Sequence, residues 1–253
     1  MVYSAVDTLV TAALTAGMLV AAFGYAAVGY GGASAYLAAL ALAGVAPAEM
    51  RPIALVLNLL VSALGSYKFY RAGYFRWRLF WPFAVVSIPL AFLGGAIVLP
   101  GHAYKTLVGV VLVYAAWQLW LSARLGDEVR TVHEPPIVLA MLVGAVLGFL
   151  SGLTGVGGGI FLSPLLLMIG WAATKQTSAV AAPFILVNSI AGLAGGFTVQ
   201  AAKLPPQVAV FAVAVLIGGW LGAEYGSRRF ANPLVRRILA VVLAAAGAKM
   251  IFV

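Results

Sequence analysis

The chain reads as an all-α polytopic membrane protein: two inverted-topology repeats, each a glycine-broken or re-entrant helix pair followed by three spanning helices. Three observations predict this. Hydrophobic residues make up 64% of the chain and charged residues only 8%, where a soluble domain carries about 25% charged residues. Apolar runs near the length that crosses roughly 30 Å of hydrocarbon recur along the whole sequence. Two glycine-rich breaks, Val28-Gly29-Tyr30-Gly31-Gly32-Ala33 and Thr154-Gly155-Val156-Gly157-Gly158-Gly159, interrupt those runs at equivalent places in the two halves. No short strands of alternating polarity are visible, which excludes a β-barrel.

The elements follow in order. Segment 5–28 is apolar after Asp7 and runs into the first break; it carries no signal-peptide basic region, so insertion is expected to rely on this helix itself. Segment 33–46 is too short to span and reads as a half-helix or re-entrant arm. Segments 51–67, 79–99 and 103–123 are read as full spans. The second half repeats the order as 137–153, the short 159–172, then 176–198, 206–223 and 233–252. Residues 1–123 and 137–253 are therefore expected to be two repeats of one membrane domain. The polar linker 124–136 joins them on the cytoplasmic side.

Internal similarity supports the duplication. Gly29 aligns with Gly155, Gly31 with Gly157, Gly32 with Gly158 and Gly44 with Gly170 at one offset. Pro52 to Asn58 recurs loosely as Pro183 to Asn188, which places Asn58 and Asn188 at matching positions. Charge then sets orientation. With the second half inverted, Lys68, Arg71, Arg76, Arg78, Arg124, Arg130, Lys175, Arg228, Arg229, Arg236 and Arg237 gather on one side. Arg51, Lys105, Lys203 and Lys249 remain on the other. Eleven basic residues against four satisfies the positive-inside rule, with both termini extracytoplasmic. The net charge of +9 is thus explained by topology, and nucleic acid is not an expected partner. The absence of cysteine excludes disulfides and thiolate metal sites.

Paired broken helices in a duplicated membrane protein point to a transporter's binding site. A helix that restarts after a break aims its N–H groups and a partial positive charge into the gap, where an anion is the natural occupant. Glycine lets that anion reach the backbone. The substrate-contacting candidates are Gly29, Tyr30, Gly31, Gly32, Ser34 and Asn58 in the first half. In the second they are Thr154, Gly155, Gly157, Gly158, Gly159, Gln176, Thr177, Ser178 and Asn188. Arg51 and Lys175 would attract the anion towards opposite mouths of the pathway. Helix packing is the competing account, because Gly148-xxx-Gly152 and Gly155-xxx-Gly159 fit the small-xxx-small pattern. Amide and hydroxyl candidates equally fit bonds between or within helices. Neither break continues into Gly-Lys-Ser/Thr or follows a strand, which argues against a nucleotide loop. His102 and His133 lie in loops without a carboxylate cluster, so no catalytic site, metal or cofactor is expected.

The stretch Gly148-Phe-Leu-Ser-Gly-Leu-Thr-Gly-Val-Gly-Gly-Gly-Ile-Phe-Leu-Ser-Pro164 resembles the signature of the TauE/SafE sulfite exporter family, as does Lys175-Gln-Thr-Ser-Ala through Asn188 to Gly195. The first half departs from it: Ala33 replaces the third glycine and Ala38 stands where Pro164 would align. The resemblance implies a carrier of sulfite, organosulfonates such as sulfoacetate, or related anions. The residues alone leave open a carrier or channel for a small carboxylate or another inorganic anion. Expected partners are the anion, the bilayer, a coupling ion (H⁺ or Na⁺) if transport is coupled, and at most a second copy of the chain.

Overall fold

The computed structural model describes residues 5–122, 132–199, 204–228 and 233–252. Those residues form ten helices: α1 (Ala5–Ala26), α2 (Ala33–Leu42), α3 (Pro47–Arg71), α4 (Trp77–Ala96), α5 (Gly101–Ser122), α6 (Ile137–Thr154), α7 (Gly159–Ile169), α8 (Thr174–Val199), α9 (Gln207–Arg228) and α10 (Pro233–Phe252). Seven are long and apolar enough to cross a membrane. The protein is an all-helical, multi-pass membrane protein. The linker expected at 124–136 is described only from residue 132, and Arg124, Arg130, Lys203 and Arg229 lie outside the described residues.

Helix α3 is longer than the apolar run 51–67. It starts at Pro47 in the first turn, where the missing proline N–H would have had no partner. It ends at Arg71, with Lys68 and Arg71 in the last turn, where their positive charges complement the negative end of the helix dipole. Hydropathy fades before the helix stops, because both ends reach the polar interface. The short segments behave as expected. With 10 residues in α2 and 11 in α7, each extends about 15–17 Å, half of a core roughly 30 Å thick.

The two halves interlock. From the first half, α4 packs on α6 and α8; from the second, α9 packs on α1 and α3. Helices α3 and α8 face each other at the centre, and α5 pairs with α10. Rows of glycine at four-residue steps allow the closest of these approaches. Gly144, Gly148 and Gly152 on α6 lie against the backbone of Phe83, Ser87 and Ala91 on α4. Gly218, Gly222 and Gly226 on α9 lie against Leu19 and Phe23 on α1 and Ala27 just past its end. A Cβ at any of the six would overlap a carbonyl oxygen, so Gly148 and Gly152 belong to packing.

Four contacts tie helix ends together. His133 N–H donates to the Gly170 carbonyl at 3.1 Å, tying the residue just after α7 to the segment that leads into α6. Lys249 Nζ donates to the Leu42 carbonyl at 2.9 Å, joining the ends of α10 and α2. Lys175 Nζ meets Tyr74 Oη at 3.3 Å, setting the start of α8 beside the α3–α4 turn. Lys68 pairs with Glu224 and covers the Trp220 ring, joining the ends of α3 and α9. The outer surface is aliphatic, as a lipid-facing one must be: Val138, Leu142 and Val146 on α6 and Val210, Val213 and Ile217 on α9 are all exposed.

Candidate functional site

The two glycine breaks meet at the middle of the bundle. A Cβ on Gly31 would overlap Asn58 Oδ1, and one on Gly157 would overlap Asn58 Nδ2. Both would also come within 2.9 Å of Ile185 Cγ2. Asn58 and Ile185 sit near mid-length of α3 and α8 respectively. The equivalent glycines of the two halves therefore close on the same two side chains from opposite sides. Gly31 has an ordinary φ, so closeness alone demands glycine there; at Gly157 the φ of 82° adds a conformational demand.

The half-helices start at this point. Gly32 at φ 97° and Gly158 at φ 78° are the N-caps of α2 and α7, and neither helix has a side-chain cap. First-turn N–H groups without a capping side chain carry the partial positive charge of a helix N-terminus. Two such ends lie close to the same pair of side chains, Asn58 and Ile185, near the mid-length of α3 and α8. Around them, Asn58 Nδ2 donates to Ser189 Oγ at 3.0 Å. Asn58 Oδ1 and the Ser151 hydroxyl are buried here without hydrogen-bond partners, and so are the hydroxyls of Ser163, one turn into α7, and Thr177, in the first turn of α8. Ser151 Cβ lies 3.5 Å from where a Gly158 Cβ would be. The arrangement thus offers backbone donors and rotatable hydroxyls to a compact anion.

Tyrosines satisfy carbonyls that the breaks free. Tyr36 Oη donates to the Gly31 carbonyl at 3.1 Å and Tyr104 Oη to the Thr154 carbonyl at 3.0 Å. Tyr25 accepts from Ser34 Oγ at 2.9 Å, and the Tyr30 ring stands 6.1 Å from that of Tyr25. Lipid could not supply such partners.

The remaining sequence candidates are distributed around this centre. Gly29 and Gly155 sit at the outer edges of the breaks, against Ser178 and Arg51. Ser178 Oγ donates to the Val28 carbonyl at 2.7 Å, which anchors the first break to α8. A Cβ on Gly159 would overlap Ile185. Thr154 Oγ1 bonds the Leu150 carbonyl of its own helix at 2.7 Å. Asn188 donates to the Phe184 carbonyl one turn back at 2.8 Å, leaving its buried Oδ1 without a partner. Arg51 donates to the Gly95 and Ile97 carbonyls at 2.9 Å each, closing the C-terminus of α4. Lys175 and Gln176 lie at the other end, near Tyr74 and Arg76.

One pair of contacts bears on how the halves align. Gly65 faces Ala182, and Gly192, which lies first against Gly152 and Ala91, also reaches Leu55 at 3.8 Å. These contacts are reciprocal only if Leu55 corresponds to Ala182 and Gly65 to Gly192. Asn58 then corresponds to Ile185, and Asn188 to Val61. The loose match from Pro52 to Asn58 pairs Asn58 with Asn188 instead, and apolar helices align by chance at several such shifts. Sequence reasoning also missed Ile185, Ser189 and Tyr104. Ser189 adjoins a candidate, but an isoleucine in an apolar run carries no signal.

Comparison with known proteins agrees with this architecture. Residues 13–250 match the family described as Sulfite exporter TauE/SafE. A protein of Sinorhizobium fredii named probable membrane transporter protein is 42% identical over 241 residues, covering 94% of this chain and 97% of its own length. Another of that name, from Methanocaldococcus jannaschii, is 29% identical over 121 residues, 47% of this chain and 44% of its own. No solved structure matches the chain.

Proposed function

We propose a transport mechanism from one premise: the chain belongs to the sulfite exporter TauE/SafE family. It is a membrane transporter and not an enzyme. Its cargo is a small sulfur-containing anion, sulfite or an organosulfonate such as sulfoacetate. The anion is held between the N-termini of α2 and α7, and transport proceeds by alternating access.

The observation that carries this reading is the convergence of Gly31 and Gly157 on Asn58. It brings two uncapped helix N-termini to one place, where their dipoles add and water is scarce. A sulfonate or sulfite presents three oxygens, enough to take N–H groups from both half-helices and a hydroxyl such as that of Ser151. Asn58 and Ile185 fill the gap between the breaks here. Anion entry therefore requires α3 to separate from α8 or the Asn58 amide to leave Ser189. Either motion couples occupancy of the site to a change in how the halves meet, which alternating access needs.

We read the halves as inverted repeats, with the linker and the basic helix ends in the cytoplasm and both termini outside. The reciprocal contacts support a two-fold relation, since α4 on α6 mirrors α9 on α1 and α4 on α8 mirrors α9 on α3. The start of α8 beside the end of α3 supports the inversion. In the test, proteoliposomes are loaded with sulfite or sulfoacetate, and efflux is compared for the native chain and Gly157→Leu. Saturable efflux that Gly157→Leu abolishes in inserted protein is expected. Normal efflux from an inserted Gly157→Leu would remove the breaks from the pathway. Equal transport of acetate and lactate would reduce the cargo to small anions in general.

A further inference from the structure

At the basic end of the bundle, away from the glycine breaks, lies a cavity of about 420 Å³. Arg76, Arg78, Trp81, Ile137, Trp171 and Gln176 line it. With its amide oxygen turned towards Arg76, Gln176 accepts from Nε at 3.1 Å and Nη2 at 3.2 Å, which holds that guanidinium at the cavity. The first turns of α4, α6 and α8 all contribute lining residues, so three helix N-termini add partial positive charge. Glu134, also in the lining, is 3.6 Å from Arg78 in an ion pair that is 67–83% exposed and therefore easily exchanged. The chemistry selects an oxyanion.

The surface beside the cavity shows what carries that oxyanion. Val138, Leu142 and Val146 form an exposed stripe on α6 that begins at the cavity's end of the helix. Val85, Ile88 and Phe92 form another on α4 that begins just past Trp81. Exposed Trp77, at the start of α4, stands at the level where indole rings anchor to a membrane interface. An acyl chain laid on either stripe would bring its headgroup to Arg76 and Arg78.

We infer that this cavity binds the phosphate headgroup of an anionic phospholipid in the leaflet on the basic side. Basic pockets between helices at that depth suit such headgroups. The site does not depend on the transported anion. Its lipid would brace the starts of α4, α6 and α8, and α8 carries Ile185 to the breaks.

The test is thermal unfolding of the purified protein in neutral detergent, titrated with phosphatidylglycerol, phosphatidylcholine or inorganic phosphate. Phosphatidylglycerol should raise the unfolding temperature and phosphatidylcholine should not. Arg76→Gln/Arg78→Gln should weaken the phosphatidylglycerol response about ten- to thirty-fold, since each arginine near an anionic surface contributes roughly 1 kcal/mol. Lys105→Gln, at the opposite end, should retain it. An unchanged response in the double variant overturns the proposal. So does an equal, arginine-dependent response to inorganic phosphate, which would make the cavity an aqueous anion vestibule. If the double variant does not fold, Glu134→Gln is measured instead. Releasing Arg78 should tighten phosphatidylglycerol binding, and no change there overturns the proposal.

Discussion

Three glycine-to-alanine substitutions separate the two reasons for glycine at the breaks. Gly44 has φ 76° and open space around it, so Gly44→Ala adds backbone strain alone. A left-handed alanine costs about 1–2 kcal/mol. Gly31 has an ordinary φ, so Gly31→Ala adds only steric collision, chiefly with Asn58 and less severely with Ile185 Cγ2. Moving that amide breaks its buried bond to Ser189 at 3.0 Å and strands a polar group, at about 1–3 kcal/mol. Gly157→Ala incurs both effects, about 2–5 kcal/mol in all. At roughly 2–4 °C per kcal/mol for a chain of this size, the melting temperature should fall about 2–8 °C for Gly44→Ala and about 4–20 °C for Gly157→Ala.

Transport should divide the three differently from stability. Gly44→Ala should carry anion normally once its lower stability is allowed for, while Gly31→Ala and Gly157→Ala should lose most of their efflux in proteoliposomes. Asn58→Ala supplies the decisive cross. It removes the nearest atoms that the new methyl groups meet and leaves the 2.9 Å approach to Ile185 Cγ2, so Gly31→Ala/Asn58→Ala should be more stable than the sum of the single changes by about 1–3 kcal/mol. Additivity within about 0.5 kcal/mol would refute the claim that the breaks close on Asn58.

Other outcomes follow from the same geometry. Tyr36→Phe and Tyr104→Phe each leave a break carbonyl without its donor, and each should lower stability by about 1–3 kcal/mol in thermal melts. Arg51→Gln should lose part of the closure of α4 and cost about 1–2 kcal/mol, because the guanidinium is only partly buried; an unchanged melting temperature would return Arg51 to the role of a free pathway charge. In a ligand screen, sulfite or sulfoacetate at about 100 times its dissociation constant should add roughly 2.7 kcal/mol. Acetate and lactate should add less, and an equal gain would argue against selectivity for sulfur oxyanions.

Much of this molecule is written in local signals. Composition and run length disclose the membrane class, and the spacing from Gly29 to Gly32 and from Gly155 to Gly159 discloses the breaks, because each is a property of contiguous residues. The short helices after the breaks are legible for the same reason. What cannot be read locally is which side chains the breaks meet. Ile185 looks like any lipid-facing isoleucine, and Tyr104 like an interface anchor, until α8 and α5 are packed in place. Arg51 reads as a mouth charge until the end of α4 is seen beside it, carrying carbonyls that need donors.

The mismatch between Asn58 and Ile185 is the most consequential of these. In the register that pairs Gly65 with Gly192, the two halves hold an amide on one side of the centre and an aliphatic branch on the other. Four residues after Asn58 stands Ser62, and four after Ile185 stands Ser189, both buried. Asn58 already bonds Ser189 across the α3–α8 interface. If the correspondence is right, an amide at 185 would face Ser62 in the same way. Asn58→Ile should therefore lose the bond to Ser189, and Ile185→Asn should crowd a second amide against the first. Asn58→Ile/Ile185→Asn should recover stability relative to both single variants, with the polar contact moved to Ser62. A further Ser62→Ala should then destabilise the exchanged protein more than it does the native one. If the double variant is no better than the worse single, the halves do not correspond as the glycine contacts require. The asymmetry of the centre would then have no two-fold frame to be measured against.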